Sequence, residues 1–158
     1  MMKTVGISDL CISDNKEDII VTYSLGSCIG VTVYDPVVHV GALIHCMLPL
    51  SKMYPDKSDI NPYMFVDTGM TKMLQAVYDL GAKRDRLIVK VAGGASLLDK
   101  KRMFRIGERN YSVTRKVLWK NNLLIAAEDV GGSKSRTVIL NMNTGRTSIK
   151  NKGLEVEL

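Results

Sequence analysis

The residue with the greatest chemical potential lies where a tight turn joins two predicted strands. Cys28 directly follows the segment Leu25-Gly26-Ser27. Glycine admits backbone angles that other residues avoid, and such a turn can direct successive backbone N–H groups toward one point, as a developing oxyanion requires. A thiol is also a strong nucleophile once it becomes a thiolate. Taken alone, however, a cysteine before an apolar strand is more often a small buried core residue.

His45 is the candidate base for this thiol. The chain has two histidines, and His45 lies inside the apolar run 42–48, where a polar ring needs a hydrogen-bond partner or a chemical role. The other, His39, follows Pro36-Val37-Val38 in a predicted turn and is expected to be exposed. His45 can instead be a core residue bonded to backbone. If it meets Cys28, it can stabilise the thiolate and later protonate a leaving group.

A third group that orients the histidine is harder to find. No carboxylate is obviously placed for this role. The hydroxyl of Thr22, six residues before Cys28, can accept a hydrogen bond from an imidazole. From the residues alone, a threonine in a strand is explained equally well by β-propensity.

The other two cysteines are weaker candidates. Cys46 adjoins His45 in the same strand and therefore points to the opposite face, which predicts a core position. Cys11 lies in a polar segment with no evident partner. Three cysteines without C-x-x-C spacing disfavour both a disulfide framework and a structural zinc site. We expect no metal and no cofactor.

Two glycine pairs follow predicted strands, in Gly93-Gly94-Ala95-Ser96 and Gly131-Gly132-Ser133-Lys134. Either can cradle a phosphate or allow close backbone approach to a substrate side chain. Neither has the spacing of a P-loop or of a dinucleotide fingerprint. The two interpretations stay open at this point.

The elements that must position these groups are mostly strands. Short β-branched runs and alternating patterns predict strands over 19–23, 29–34, 40–48, 87–92, 123–127, 137–142 and 147–150, the last two forming a hairpin. Apolar spacing predicts helices over 67–80 and 108–121, the first with Asp67 as N-cap and Gly81 as its end, and the second with Val113, Val117 and Leu118 inward. The segment 51–62 is predicted to be an exposed loop. Strands that outnumber helices without alternating with them indicate an α+β fold with two main helices packed outside.

Length and composition restrict the class of protein. A chain of 158 residues predicts one domain, 1–158, and no apolar run is long enough for membrane insertion. The absence of a signal-peptide pattern predicts a cytoplasmic protein.

The net charge of +6 fits an acidic protein partner, nucleic acid or an anionic surface. The clusters at 83–86, 100–102 and 134–136 are each predicted to be solvated. No nucleic-acid motif or stacking platform is present, so nucleic acid is not an expected partner.

Several of these motifs occur together in the order of one known family. They are Leu25-Gly26-Ser27-Cys28, Gly41-Ala42-Leu43-Ile44-His45 with Leu48-Pro49, Val66-Asp67-Thr68, Ala92-Gly93-Gly94-Ala95-Ser96, Ile106-Gly107-Glu108-Arg109-Asn110, Glu128-Asp129-Val130-Gly131-Gly132, Arg136 and Asn143-Thr144-Gly145. The chain from about Thr4 to Lys150 thus resembles the chemoreceptor glutamine deamidases of the CheD family. Val130 and Phe65 depart from residues common in the family, away from the candidate triad.

The resemblance implies a Cys–His–Thr triad at Cys28, His45 and Thr22. For Thr22 it therefore favours a role in the triad over the explanation from β-propensity alone. It implies hydrolysis of glutamine side chains on the cytoplasmic helical domains of methyl-accepting chemotaxis receptors, with release of ammonia through a cysteine thioester. The alternative it implies is a regulatory module that binds the phosphatase CheC and stimulates it.

The resemblance also extends to the fold. It implies layered, β-sandwich-like mixed sheets, related to the cysteine deamidases of the cytotoxic necrotizing factor type. The predicted substrate-binding residues are those of the two tight segments: Gly26, Ser27, Gly93, Gly94 and Ser96.

Overall fold

Two five-stranded sheets and three α-helices make up the part of the chain that the structure describes. The computed structural model describes residues 1–96 and 105–158. The strands are β1 Met2–Thr4, β2 Asp9–Ser13, β3 Ile19–Leu25, β4 Ile29–Asp35, β5 Val40–Cys46, β6 Ile88–Gly93, β7 Ile125–Val130, β8 Arg136–Asn141, β9 Thr147–Asn151 and β10 Leu154–Glu157. The helices are α1 Pro55–Ile60, α2 Val66–Asp79 and α3 Ile106–Lys120, and short 3₁₀ turns lie at Ser51–Met53, Pro62–Met64 and Arg84–Arg86.

Both sheets are mixed. Sheet A has the strand order β1-β3-β8-β9-β10, and sheet B has the order β2-β5-β4-β6-β7. The pairs β1–β3 and β6–β7 are parallel, whereas the other pairs are antiparallel. The structure confirms the predicted α+β class with layered mixed sheets. The relation to the toxin-type deamidase fold stays a prediction.

Sheet B is the middle layer of three. One of its faces packs with sheet A around a core that includes Ile20, Leu43 and Leu140. The other face packs on α2 and α3 around a second core that includes Val31, Ile44 and Met73. Because both faces are covered, every residue of β4 and β5 is buried, which explains the near-continuous apolar sequence of these strands. The two main helices therefore lie outside the sheets, as predicted.

The apolar spacing in α2 predicted the helix to within one residue at each end. Its buried face includes Met70, Met73 and Val77, and Gly81 follows its end with a φ of 103°. The predicted N-cap is wrong: Asp67 is the second helical residue, and Phe65 occupies the capping position. The Asp67 carboxylate instead accepts hydrogen bonds from the backbone N–H and the hydroxyl of Ser51, at 3.0 and 2.8 Å.

Several local expectations need correction. The segment 51–62 is not loop throughout, because it contains α1. Three strands were not predicted: β1, β2 and β10 each lie at the edge of a sheet, where polar residues face solvent and no apolar alternation develops. In α3, Leu118 is fully inward, whereas Val113 and Val117 are only partly buried. In the described parts of the chain, no helix is long and apolar enough to cross a membrane.

The predicted basic clusters have different environments. Lys134 is exposed, as expected, but Arg136 is buried, with a side-chain exposure of 2%. Its guanidinium contacts the Asp129 carboxylate, so the charge is paired rather than solvated. The cluster at 100–102 lies outside the described residues.

Asp35, at the end of β4, ties the helix-to-strand connection to sheet B. Its buried carboxylate accepts hydrogen bonds from the backbone N–H groups of Val37 and Lys83, both at 2.9 Å, and it forms an ion pair with Arg86. Burial opposes the charge of this carboxylate, but the hydrogen bonds from Arg86, Lys83 and Val37 outweigh burial and hold the pKa at about 2. Between about pH 4 and pH 2, the unfolded chain therefore binds a proton at Asp35 that the folded protein does not. The free energy of unfolding consequently decreases as the pH decreases through this window.

We expect Asp35→Asn to lower the free energy of unfolding by about 2–3 kcal/mol, since hydrogen bonds to a charged, buried acceptor are lost. Urea denaturation at neutral pH measures the change. Asp85→Asn is the matched control, because Asp85 is exposed in the same connection; its effect should stay within about 0.5 kcal/mol. Equal effects of the two substitutions would contradict the anchoring role of Asp35.

Candidate active site

Cys28 lies in the turn between β3 and β4, at the margin of the space between the sheets. It is partly exposed and contacts the inter-sheet core, while the preceding Ser27 is exposed. A bulge in β3 between Thr22 and Leu25, and a φ of 58° at Ser24, lead the chain into this turn. The thiol is thus held next to the core while the residue remains partly exposed.

The three carbonyl groups of the Cys28 turn all accept hydrogen bonds from other segments of the chain. Backbone N–H groups of Ala95 and Gly94 donate to the carbonyls of Gly26 and Cys28, at 2.9 and 2.8 Å. The side-chain Nδ2 of Asn110 donates to the carbonyl of Ser27 at 2.9 Å. Three successive peptide groups are therefore oriented by hydrogen bonds.

The first glycine pair makes this support possible. A Cβ on Gly93 would collide with the Cys28 carbonyl oxygen, and Gly93 also has a φ of 105°. The first turn of α3 approaches the same loop so closely that a Cβ on Gly107 would meet the carbonyl of Ala95. The group that Gly93 approaches closely is the Cys28 turn of the same chain, and the two interpretations left open by the sequence, a phosphate cradle and approach to a substrate side chain, stay predictions.

The second glycine pair, Gly131-Gly132, is connected by hydrogen bonds to the loop that contains the first pair, Gly93-Gly94. The Arg136 guanidinium donates to the carbonyls of Gly93 and Gly131, at 3.3 and 2.8 Å. The backbone N–H of Ser96 donates to the carbonyl of Gly132 at 2.9 Å. These contacts connect sheet A, through Arg136 in β8, to the loop behind Cys28.

His45 faces the same side of sheet B as Cys28. In the register of β4 and β5, His45 lies opposite Gly30, and Cys28 is two residues before Gly30. Side chains two residues apart along an extended chain share a face, and Cys28 packs against the core between the sheets, as expected for that face. Gly30 leaves this face uncrowded, since a Cβ there would lie 2.7 Å from Leu25.

Thr22 reaches His45 from the other sheet. Its Oγ1 lies 2.7 Å from His45 Nδ1, and both residues are buried, with exposures of 0% and 1%. The structure therefore joins Thr22 and His45 by a hydrogen bond. It places Cys28 in the turn on the same side of sheet B, with no hydrogen bond between Cys28 and His45 among the described residues.

The hydrogen bonds of Thr22 determine which nitrogen of His45 carries the proton. The Thr22 hydroxyl has one hydrogen and donates it to the carbonyl of Val5 at 2.8 Å. Its oxygen must then accept from Nδ1–H, which leaves the lone pair of the neutral ring on Nε2. Nε2 is buried and has no hydrogen-bond partner among the described residues. It is therefore free to take a proton from a thiol.

Burial keeps both reacting groups neutral at rest. It raises the pKa of the Cys28 thiol, although the residue's own backbone N–H opposes that rise. It also lowers the pKa of His45 to about 4. At neutral pH Cys28 is therefore a thiol and His45 a neutral imidazole.

The remaining cysteines lie elsewhere. Cys46 is completely buried in the core between sheet B and the helices, on the face opposite His45, and burial raises the pKa of its thiol far above the ordinary value. Cys11 is partly buried in β2, opposite Leu43. Within residues 1–96 and 105–158, no three His, Cys, Asp or Glu side chains cluster in a way that would hold a metal ion.

Asn110 is a site residue that sequence reasoning did not single out. It lies in the second turn of α3 and is fully buried. A signal existed: Asn110, Thr114 and Leu118 recur every four residues, which places a polar amide on the inward face of a helix. Only its tertiary contacts show that it touches the Cys28 turn.

Replacing Thr22 by Val should change the tautomer of His45. Without the hydroxyl acceptor, Nδ1–H is left unpaired in a buried site, so the preference for this tautomer is lost and the population of the form with the proton on Nε2 should rise. Imidazole ¹⁵N chemical shifts, assigned with His45→Gln, measure the two forms. Thr22→Ser keeps the acceptor and should preserve the original tautomer. Unchanged shifts in Thr22→Val would refute the control of the tautomer by Thr22.

Comparisons with known proteins agree with the sequence resemblance. The family model described as CheD chemotactic sensory transduction matches residues 47–151. The chain is 52% identical to "Probable chemoreceptor glutamine deamidase CheD 1" of Syntrophus aciditrophicus, over 94% of this chain and 93% of that protein. It is 46% identical to "Probable chemoreceptor glutamine deamidase CheD" of Solibacter usitatus, over 98% and 91% of the two chains.

The resemblance extends to an archaeal protein. Identity to "Probable chemoreceptor glutamine deamidase CheD" of Pyrococcus horikoshii is 40%, over 92% of this chain and 90% of that protein. The crystal structure of Neisseria meningitidis protein NMB0706 superposes with a TM-score of 0.44 at 8% identity, over 84% of this chain and 63% of that one. High identity over nearly the full length shows that the chain belongs to the CheD family.

Proposed function

We propose that the protein is a cysteine-dependent protein-glutamine deamidase that converts glutamine side chains of chemoreceptors to glutamate in the cytoplasm. The observation that carries this proposal is the Thr22–His45 hydrogen bond, since it leaves a proton-accepting Nε2 on the face of sheet B that Cys28 shares. The names of the curated relatives, which call them probable chemoreceptor glutamine deamidases, support the choice of substrate.

In the first step, Cys28 is the nucleophile and His45 is the base. The thiol proton passes to Nε2 while the sulfur attacks the amide carbon of the glutamine side chain, and the amide oxygen becomes an oxyanion. The backbone N–H groups of Ser27 and Cys28 are the proposed donors to this oxyanion. The Cys28 N–H fits this role because it lies close enough to its own sulfur to favour the thiolate.

In the second step, the carbon–nitrogen bond breaks. The imidazolium returns its proton to the amide nitrogen, ammonia leaves, and a thioester joins the former glutamine carbon to Cys28. A water molecule then attacks the thioester as His45 takes its proton. Cleavage of the carbon–sulfur bond gives a glutamate side chain, and the proton held by His45 restores the thiol.

Thr22 is proposed to keep His45 effective through this cycle. Its hydroxyl oxygen accepts from Nδ1–H in both the neutral and the charged ring, so the ring does not need to reorient between steps. Because Thr22 carries no charge and the ring is buried, the imidazolium is disfavoured at rest. A short-lived imidazolium suits a group that must accept and return one proton in each half-reaction.

The five predicted substrate-binding residues remain part of the proposal. Ser27 and Ser96 are exposed beside the turn and the glycine loop, where a substrate side chain can approach. Gly26 lies next to them and is partly exposed. Gly93 and Gly94 are buried against the Cys28 carbonyl, which supports an indirect role in which they hold the binding surface in place.

Cys28→Ala should reduce ammonia release from a purified receptor cytoplasmic fragment by roughly 10³-fold or more, because the nucleophile is lost. Intact-protein mass spectrometry of the fragment should show the replacement of amide nitrogen by oxygen only with active enzyme. Cys11→Ala is the control, since Cys11 is the other partly buried cysteine and lies in β2. Full activity of Cys28→Ala would rule out the thioester mechanism.

The same variant separates the enzyme from the alternative function that the resemblance implies. In that alternative, the protein binds the phosphatase CheC and stimulates it without chemistry at Cys28. If wild-type protein releases no ammonia and Cys28→Ala still stimulates the phosphatase, the regulatory function replaces the enzymatic one. Both activities in the wild-type protein would make CheC a partner of an enzyme.

Ionic strength should affect the reaction with receptors. The chain carries a net charge of +6. The resemblance implies helical receptor substrates rich in glutamate and glutamine. Attraction between the two accelerates encounter at low salt, so kcat/KM should fall about tenfold as salt rises. A neutral glutamine-containing peptide should show little dependence. An equally flat profile for the receptor fragment would remove electrostatic attraction from the mechanism.

A further inference from the structure

Asn110 links the chain segments that carry the proposed nucleophile and base. Its Nδ2 donates to the carbonyl of Ser27 at 2.9 Å and to the carbonyl of Met47 at 3.1 Å. Ser27 directly precedes Cys28, and Met47 follows His45 by two residues. A single side-chain amide on α3 therefore bridges the turn before β4 and the chain leaving β5.

The chemistry of this contact requires an amide. Both acceptors are carbonyl oxygens, and one NH₂ group supplies both hydrogens. Asn110 Oδ1 is buried without a hydrogen-bond partner among the described residues, so the site tolerates an unpaired polar atom. An unpaired buried acceptor costs stability, and an apolar side chain of similar size would avoid that cost. Packing alone therefore does not explain an asparagine here.

The contact with Ser27 determines where the next N–H group points. In a planar trans peptide, the carbonyl of Ser27 and the N–H of Cys28 point in opposite directions. Because Asn110 draws the carbonyl toward α3, the Cys28 N–H is directed away from α3. The neighbouring carbonyls of Gly26 and Cys28 are held by backbone N–H groups. The Ser27–Cys28 peptide is thus the one in this turn whose carbonyl is held by a side chain.

We infer that Asn110 is a positioning residue that orients the backbone N–H of Cys28 as an oxyanion donor. This inference rests on the proposed deamidase function and assigns a role to a residue that contacts neither thiol nor imidazole through its described hydrogen bonds. Loss of the Nδ2 donors frees the Ser27–Cys28 peptide to rotate. The transition state then loses a donor, while substrate binding and the Cys28 thiol are retained.

The kinetic test uses Asn110→Asp, which keeps the size of the side chain and removes both donors. We expect kcat for ammonia release to fall about 10²-fold, the usual effect of losing one oxyanion donor, with KM unchanged. Alkylation of Cys28 by iodoacetamide forms no oxyanion, so its rate should stay within about threefold of wild type. Asn110→Ala provides the same comparison if a carboxylate in this buried site prevents folding.

Thr114→Val is the matched control. Thr114 lies one turn further along α3, is equally buried, and donates to the Asn110 backbone carbonyl at 2.7 Å without contacting the Cys28 turn. Its kcat should stay within about threefold of wild type. A decrease in Thr114→Val equal to that in Asn110→Asp, or alkylation that falls in parallel with kcat, would overturn the inference.

A spectroscopic measurement keeps the test independent of activity. Protein labelled with ¹⁵N-cysteine should give three backbone amide signals, from Cys11, Cys28 and Cys46. In Asn110→Asp the Cys28 signal should move, while that of Cys11, whose strand β2 does not contact Asn110 through its described hydrogen bonds, should stay in place. If wild-type protein releases no ammonia, the proposed function fails, yet this spectrum still decides whether Asn110 orients the Cys28 N–H. An unmoved Cys28 signal would overturn that role.

Discussion

The hydrogen bond between Thr22 Oγ1 and His45 Nδ1 joins the two sheets at the centre of the site, and the proposed chemistry depends on it. The bond forms only because sheet A and sheet B pack face to face. The Thr22 hydroxyl donates its only hydrogen to the carbonyl of Val5, so in the bond with His45 the Thr22 oxygen is the acceptor and Nδ1–H is the donor. Val5 follows the edge strand β1, which pairs in parallel with β3. A short edge strand thus influences which nitrogen of the imidazole accepts a proton.

Burial gives this pair its electrostatic character. Desolvation disfavours charge on both Cys28 and His45, and no carboxylate compensates the imidazole through the described hydrogen bonds. The pair is therefore neutral at rest, unlike a preformed thiolate–imidazolium pair. In the proposed mechanism, charge develops in such a pair only when sulfur attacks the substrate, so stabilisation of the oxyanion by hydrogen-bond donors accounts for much of the proposed catalysis.

The proposed oxyanion donors are backbone N–H groups of the Cys28 turn, whose conformation is held by contacts from neighbouring elements. Gly93 lies against the Cys28 carbonyl, and Arg136 holds the Gly93 carbonyl from sheet A. Asn110 contacts the turn from α3. Three elements far apart in the sequence, β6, β8 and α3, therefore converge on one turn. The preference for glycine at 93 follows from this convergence, because a side chain there would displace the turn.

How far the sequence predicts this arrangement differs between its parts. Hydrophobic spacing predicted α2 to within one residue at each end, since burial of one helix face leaves a periodic pattern. The strands β4 and β5 were predicted from near-continuous apolar runs, since both of their faces are buried. The edge strands β1, β2 and β10 were missed because half-exposed strands carry polar residues. Arg136 was misassigned to a solvated cluster, because the sequence does not show its pairing with Asp129.

The sequence by itself determined the fold class, the positions of Cys28 and His45 at neighbouring strands, and membership of the CheD family. These depend on local pattern and on the order of motifs along the chain. Only the tertiary structure decided the tautomer of His45, the place of Thr22 opposite it, and the contact of Asn110 with the Ser27 carbonyl. Each of these is a hydrogen bond between residues distant in sequence, and its geometry exists only after the sheets and α3 have packed.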